Sequence, residues 1–340
     1  MAGTIIITGA NGSLAVHVVQ QILTKSPETT LVLTVRRTED DDPNTKKLRA
    51  TISKFTSART SIRKLDLTSL TAVHEFASAV ASEITEGKLP PLTGIICNAY
   101  YWNMVNDPEL TADGLEKTIQ VNHISHAALV LRLLGSFDPE KGGRLILFTS
   151  DGHEDGKNGL QKYPPGIPED LDTLVQVKPD SDKQGRGFER YANSKLAVLM
   201  WTYALNRYLE KANQAMFHQD EALSKITAVC LDPGSLVDSR ALRTNTPQFL
   251  HYVQKFVLQP LRPLLRLKDP SMRTAADAGA DVTALVLNTA KANERGYFKL
   301  LNKESSSKLS LDEAKQEKVW EKTAAWAQIT KENTALKSGI

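Results

Sequence analysis

Cysteine is scarce in this chain: Cys97 and Cys230 are the only two in 340 residues. Such usage suits a cytosolic chain better than a disulfide-stapled secreted one. The seven histidines show no ligand spacing with cysteines or carboxylates, so no metal site is expected. Neither sign of charge dominates. The 42 Lys and Arg are nearly balanced by 39 Asp and Glu, and that balance gives no reason to expect a nucleic-acid partner. No leader or integral membrane segment is expected ahead of the first apolar run, which begins at Thr4. Internal repeats and long low-complexity stretches are also missing. What remains is a cytoplasmic chain long enough to bury one large core.

What is present is an alternation. Thr4-Ile5-Ile6-Ile7-Thr8 is a β-branched run that reads as a buried strand. It breaks into Gly9-Ala10-Asn11-Gly12-Ser13-Leu14-Ala15, and a helical pattern follows through Leu23. Strand, glycine-rich turn and helix are the parts of a dinucleotide site, because such a turn lets backbone N–H groups approach phosphates. Apolar runs at 31–35, 61–67, 94–98, 144–150 and 226–231 read as further strands. Stretches 70–84, 115–134 and 191–209 carry helical periodicity. The alternation implies an α/β fold with a parallel sheet flanked by helices on both faces. Ligands in such sheets bind beyond the carboxyl ends of the strands. Gly9, Asn98 and Ser150 fall at or just past such ends and so converge on one site.

Tyr191 and Lys195 stand four residues apart in Tyr-Ala-Asn-Ser-Lys. One helical turn puts both on the same face. An ammonium beside a phenol favours the phenolate, and a phenol so tuned exchanges protons with a carbonyl or alcohol near neutral pH. Alone, the pair also describes an ordinary helix with one Lys in solvent.

Together these motifs identify the chain as resembling a short-chain dehydrogenase/reductase over nearly its whole length. The residues that carry the resemblance are Thr8-Gly9-Ala10-Asn11-Gly12, Leu65-Asp66-Leu67, Asn98-Ala99, Asn122 in Val121-Asn122-His123, Ser150, Tyr191 with Lys195, and Pro233-Gly234. The tail Lys318-Val319-Trp320-Glu321 is similar to the ending of carbonyl-reductase-like and retinol-dehydrogenase-like members. The stretch Pro233-Gly234-Ser235-Leu236-Val237-Asp238-Ser239 is similar to members from microbial secondary-metabolite pathways. The resemblance implies a Rossmann-type doubly wound sheet in a single domain, 1–340. Residues 1–150 would form mainly the cofactor half, 152–189 an insert, and 191–340 the catalytic helix, last strands and substrate lid. It also sets the strands of Cys97 and Cys230 apart in the sheet, which argues against a disulfide.

The resemblance implies roles as well. Tyr191 would be the general acid in reduction. Lys195 would lower its pKa and bond the nicotinamide ribose. Ser150 would hydrogen-bond the substrate oxygen. Asn122 would interrupt its helix and hold a water that links Lys195 to solvent. Gly9, Asn11, Gly12, Ser13, Leu14, Asn98, Ala99, Pro233 and Gly234 would border the cofactor, with Asp66 and Leu67 at its adenine. Arg36 follows the second strand, where an acidic residue favours a free ribose 2′-OH and an Arg a 2′-phosphate. NADP(H) is therefore expected ahead of NAD(H). Arg36 and Arg37 are also offset by Glu39-Asp40-Asp41-Asp42.

Departures from the family pattern are Ser13 and Ala15 in the turn, Tyr100 in place of the Gly after Asn98-Ala99, and the long segment 152–189. In relatives such an insert covers a dimer face, which implies a monomer or weak homodimer. Tyr100-Tyr101-Trp102 is a candidate pocket wall. Residues 249–267 read as a substrate lid or as an amphipathic membrane-touching surface. Pro260 and Pro263 should break a helix there, which favours the lid. An apolar lid suggests a hydrophobic small-molecule substrate. The expected function is reduction of a ketone or aldehyde by NADP(H), or oxidation of the corresponding alcohol. The alternative is a non-redox use of the same fold, as a cyclase, isomerase, dehydratase or nucleotide-sensing binding protein.

Overall fold

The computed structural model describes residues 3–39, 41–212, 221–337 and 339–340. Asp40, one of the acids near Arg36, lies outside the described residues. The first half runs β1 (Thr4–Ile7), α1 (Ser13–Lys25), β2 (Thr30–Val35), α2 (Pro43–Ile52), β3 (Arg59–Lys64), α3 (Leu70–Thr85) and β4 (Leu92–Cys97). Then α4 (Lys117–Ile119), a π-helical turn (Gln120–Ile124) and α5 (Ser125–Leu133) follow one another without a break, ahead of β5 (Gly143–Phe148). The second half holds α6 (Lys183–Lys211), α7 (Glu221–Ser224), β6 (Ile226–Asp232), β7 (Ser235–Leu236), α8 (Gln248–Val253), α9 (Gln259–Lys268), β8 (Met272–Arg273), α10 (Ala275–Val286), β9 (Gly296–Lys299), β10 (Asn302–Lys303) and α11 (Glu313–Trp326).

Eight strands form one sheet in the order β10-β9-β6-β5-β4-β1-β2-β3. All neighbours are parallel except β10, which pairs antiparallel with β9. The order reverses direction between β1 and β4, and ligands bind at such a switch point. Residues alternate between two cores because side chains of a strand point to opposite faces. Ile6, Ile95, Leu145 and Cys230 enter the core with α3, α5, α6 and α11. Ile5, Ile7, Ile96, Ile146 and Val229 enter the core with α1 and α10. Burial on both faces is why these strands read as unbroken apolar runs. Strand β5 lies between those of Cys97 and Cys230, and both thiols are free and buried.

Several boundaries differ from the sequence expectation. The third strand ends at Lys64, so Asp66 and Leu67 lie past it. The catalytic helix begins at Lys183 rather than at 191. Gly185 and Gly187 disguise that start, because glycine is a poor helix former. Gly187 is kept by contact: a Cβ there would lie 2.0 Å from the Asn103 carbonyl oxygen. Helix α2, absent from the sequence reading, is fixed by its cap, with Asp42 accepting from the amides of Asn44 and Thr45 and Pro43 opening the first turn. The insert is ordered. It buries Ile167, Leu171 and Val175, and Lys322 pairs with Asp172 at 2.6 Å. Pro260 and Pro263 do not break their segment, which is helical from 248 to 268 through a π-helical turn, Gln254–Leu258. Pro260 falls at the junction where the π-helical turn gives way to α9.

Helix α11 is clamped to the catalytic helix by stacked rings. Trp320 stacks on Trp201 at 5.7 Å and on Tyr208 at 4.7 Å, and its indole N–H donates to the Gly339 carbonyl at 2.6 Å. Trp320→Ala is expected to lower unfolding free energy in urea by about 3–5 kcal/mol. A loss near zero would show that α11 contributes nothing to the core.

Candidate active site

The glycine-rich turn is shaped by close approach. Gly9 has φ +59, and a Cβ there would sit 3.0 Å from the Ala99 Cα. A Cβ on Gly12 would sit 3.0 Å from the Gly9 carbonyl oxygen. Asn98 Nδ2 donates to the carbonyls of Thr8 and Gly9, both at 3.0 Å, and locks the turn to the end of β4. Ala15 is fully buried at the start of α1, where a small side chain lets the helix pack closely on the sheet. Leu14 is also buried, so its side chain serves the core. Tyr100 does not adopt a positive φ, so the backbone here has no need of the family's glycine.

Two turn residues have partners that the sequence did not suggest. The Arg240 amide donates to Ser13 Oγ at 3.2 Å, and its guanidinium donates to the Asn11 carbonyl at 2.7 Å. Asn11 Nδ2 donates to Thr45 at 3.0 Å. Arg240 reaches the turn by tertiary folding alone, and no local pattern marks it.

Arg36 and Asp66 line a cavity of ≈ 260 Å³ together with Thr68, Leu110, Thr111 and Lys117. Asp66 accepts from the Thr68 amide at 2.9 Å and from its hydroxyl at 2.7 Å. Leu67 is buried, and its carbonyl accepts from Ser125 at 2.7 Å. Pro233 and Gly234 follow β6, where the Gly234 amide donates to Asp232 at 2.9 Å.

Ser150 lies beside the Tyr191 phenol, close enough to bear on its ionisation. Ser150 Oγ also donates to Asp151 at 2.9 Å and accepts from the Gly152 amide at 3.2 Å. Three rings surround the phenol. Trp102 stands edge-on at 5.1 Å, Phe188 at 5.8 Å and Tyr100 at 6.4 Å. Leu242, and Leu250 from α8, join the same cluster. The segment leading into α8 is held by the Trp102 indole N–H, which donates to the Thr244 carbonyl at 3.1 Å, and by the Met104 amide, which donates to the Asn245 carbonyl at 2.9 Å.

Lys195 Nζ lies 5.6 Å from the Tyr191 ring centre and donates to the Phe148 carbonyl at 3.0 Å. The electrostatics differ from the sequence expectation. Burial pushes the Tyr191 phenol above the ordinary tyrosine range; Tyr100 adds to this and Ser150 opposes it. Burial also lowers the Lys195 ammonium to about 8. Desolvation thus outweighs the expected stabilisation of a phenolate by Lys195.

Asn122 lies in the π-helical turn, so the helix is interrupted where the sequence reading expected it. Its side-chain oxygen accepts from the Tyr101 amide at 2.7 Å. Its Nδ2 donates to the Tyr101 carbonyl and to Ser194 Oγ, both at 2.9 Å. Ser194 in turn donates to the Tyr191 carbonyl at 2.6 Å. Its side chain is therefore engaged with Tyr101 and Ser194, not with Lys195.

His126, which the sequence reading passed over, joins this group to the turn. Its Nδ1 faces the Asn122 carbonyl at 3.3 Å and its Nε2 faces Thr8 Oγ1 at 2.9 Å. A carbonyl only accepts, so Nδ1 carries the proton and Nε2 accepts from Thr8. Burial holds the imidazole neutral by lowering it to about 4. Thr8 Oγ1 also accepts from the Ala99 amide at 3.1 Å. The spacing of Asn122 and His126, one helical turn, was the available signal.

Burial pushes the Asp232 carboxyl up to about 6, against the Gly234 amide bond. A group raised above its unfolded value stabilises the fold below that value and loses the contribution as pH rises through the folded value. Asp232→Asn keeps an acceptor for Gly234. It is expected to exceed the parent in stability by about 1–3 kcal/mol near pH 8 and to converge on it near pH 4. A gap that does not change with pH would contradict the burial of a charged Asp232.

Comparison with known proteins adds to this geometry. Residues 3–164 match the short chain dehydrogenase family, and residues 240–336 match the AcuH dehydrogenase domain. The chain is similar to the short-chain dehydrogenase iccH of Talaromyces variabilis, with 28% identity over 99% of this chain and 98% of the relative. It is similar to the dehydrogenase acuH of Aspergillus aculeatus, with 50% identity over 27% of this chain and 94% of the relative. Among solved structures, the NADPH-bound carbonyl reductase from chicken fatty liver shares the fold at a TM-score of 0.56 and 17% identity, over 90% of this chain and 99% of that one.

Proposed function

Because the chain belongs to the short-chain dehydrogenase/reductase family of oxidoreductases, we propose that it uses NADP(H) to reduce a ketone or aldehyde on a hydrophobic small molecule, or to oxidise the matching alcohol. The observation that carries this reading is the half-buried Tyr191 phenol, set beside Ser150 and walled by Trp102, Phe188 and Tyr100. Family membership calls for a nicotinamide cofactor, and the residues present fit one. Gly9 and Gly12 leave room that a Cβ would fill at the turn. Arg36 offers a cation beside Asp66 suited to a phosphorylated ribose, in a cavity also lined by Lys117, whose ammonium pairs with Glu109 at 2.7 Å. Asn98, Ala99, Pro233 and Gly234 would border the remainder of the cofactor.

When bound, the reduced nicotinamide supplies a hydride to the carbonyl carbon. Tyr191 gives its proton to the carbonyl oxygen, so carbon and oxygen each gain one hydrogen. A phenol held protonated by burial favours that direction. Ser150 spends its single hydroxyl proton on Asp151 at rest. Turned toward substrate, it would donate to the oxygen as negative charge builds there. Lys195, lowered to about 8 and with its ammonium 5.6 Å from the phenol's ring centre, would return a proton to it through an intervening hydroxyl or water after each turnover. The aromatic wall and Leu250 exclude water and favour an apolar substrate.

Titration with NADPH and NADH, followed by nicotinamide fluorescence, tests the cofactor. NADPH is expected to bind more tightly than NADH. Arg36→Ala is expected to weaken NADPH by roughly 10- to 100-fold while leaving NADH unchanged. Failure to bind either nucleotide would contradict the redox reading, and equal loss for both would remove Arg36 from the 2′-phosphate.

A further inference from the structure

Helices α8 and α9, with the π-helical turn between them, are mounted with their polar face toward the protein. Gln254 is buried, and its Nε2 donates to the Ser239 carbonyl at 2.7 Å. Gln259 Nε2 donates to the Val237 carbonyl at 3.0 Å. Arg262 pairs with Asp277 at 2.9 Å. The opposite face is apolar and open. Phe249, Tyr252, Phe256, Leu261, Leu264 and Leu267 are between 44% and 85% exposed. No residue of α9 is buried. A surface helix ordinarily does the reverse and turns its apolar stripe to the core. Large contiguous apolar patches on a folded surface mark a place where something else docks.

The charge around the patch indicates what docks. Residues 248–268 contain four Lys and Arg and no Asp or Glu, within a chain whose net charge is only +3. Lys255, Arg266 and Lys268 are exposed beside the apolar side chains. A second copy of this chain is a poor occupant. In a two-fold contact these cations would be brought against the same basic segment of the second copy, which has no acid to pair with them. An anionic bilayer surface satisfies both features at once. Its acyl boundary takes the aromatic and leucine side chains, and its headgroups take the cations. Among the described residues no helix is long and apolar enough to cross a membrane, so the segment would lie in the interface.

We propose that helices α8 and α9 form a docking surface for anionic phospholipid membranes. This does not depend on which reaction the site performs. The residues concerned are exposed, so substitutions there test docking without disturbing the core.

The test is flotation of the full chain with vesicles of phosphatidylcholine containing about 30% phosphatidylserine, against phosphatidylcholine alone. The protein is expected to float with the anionic vesicles, at least about tenfold more than with neutral ones, and to be released by salt. The triple variant Phe256→Ser, Leu264→Ser, Leu267→Ser is expected to stay at the bottom while its melting temperature and sedimentation match the parent. Two results would overturn the proposal. One is a parent that ignores both vesicle types. The other is a parent that sediments as a dimer and becomes a monomer in the triple variant, which would assign the face to a second copy.

Discussion

The contact between Thr8 Oγ1 and His126 Nε2, 2.9 Å long and wholly buried, ties the two halves of the site together. On one side Thr8 ends the first strand and holds the Ala99 amide at the end of the fourth. On the other, His126 holds the Asn122 carbonyl, and the Asn122 side chain holds Tyr101 and Ser194. Ser194 then bonds the Tyr191 carbonyl on the catalytic helix. A buried polar network of this kind is worth having only when each member is paired, since an orphaned donor or acceptor costs more than a bond gains. Here the neutral imidazole, held so by burial, is what makes the pairing complete. The π-helical turn supplies the geometry by putting Asn122 out of the regular helical ladder.

That network explains why the site residues arrive from four distant parts of the sequence. The parallel sheet brings the ends of β1, β4 and β5 to one edge, and the order reverses there between β1 and β4. The catalytic helix crosses behind them, clamped from outside by Trp320. The segment leading into α8 is tied to Trp102 and Met104 beside Tyr191. Desolvation moves Tyr191 up and Lys195 down.

Much of this was legible in the sequence because the first half of the chain obeys simple periodicities. Buried parallel strands read as β-branched runs, and the glycines of the turn sit immediately after the first of them. The resemblance carried by Asn98, Asn122, Ser150, Tyr191 and Lys195 named the candidate site residues. What escaped had physical reasons. Helix α2 rests on a cap rather than an apolar stripe. The start of α6 is hidden by two glycines, and one of them is fixed by contact with Asn103. Strand β9 is four residues long. Arg240 reaches the turn only through tertiary folding. The orientation of α8 and α9 was hidden too, because amphipathicity says that one face is apolar and not which way it points. Pairwise reasoning also misjudged the Tyr191–Lys195 couple, since it weighed the charge and not the burial.

The central claim is hydride delivery to a carbonyl beside a Tyr191 proton donor. The most direct measurement is to supply NADPH deuterated at the transferable position with a set of apolar ketones and aldehydes, and to weigh the products by mass spectrometry. The expected result is one deuterium on the carbinol carbon, with formation falling at least about a hundredfold in Tyr191→Phe. Alcohol formed without deuterium, or formed at the parent rate by Tyr191→Phe, would contradict the account.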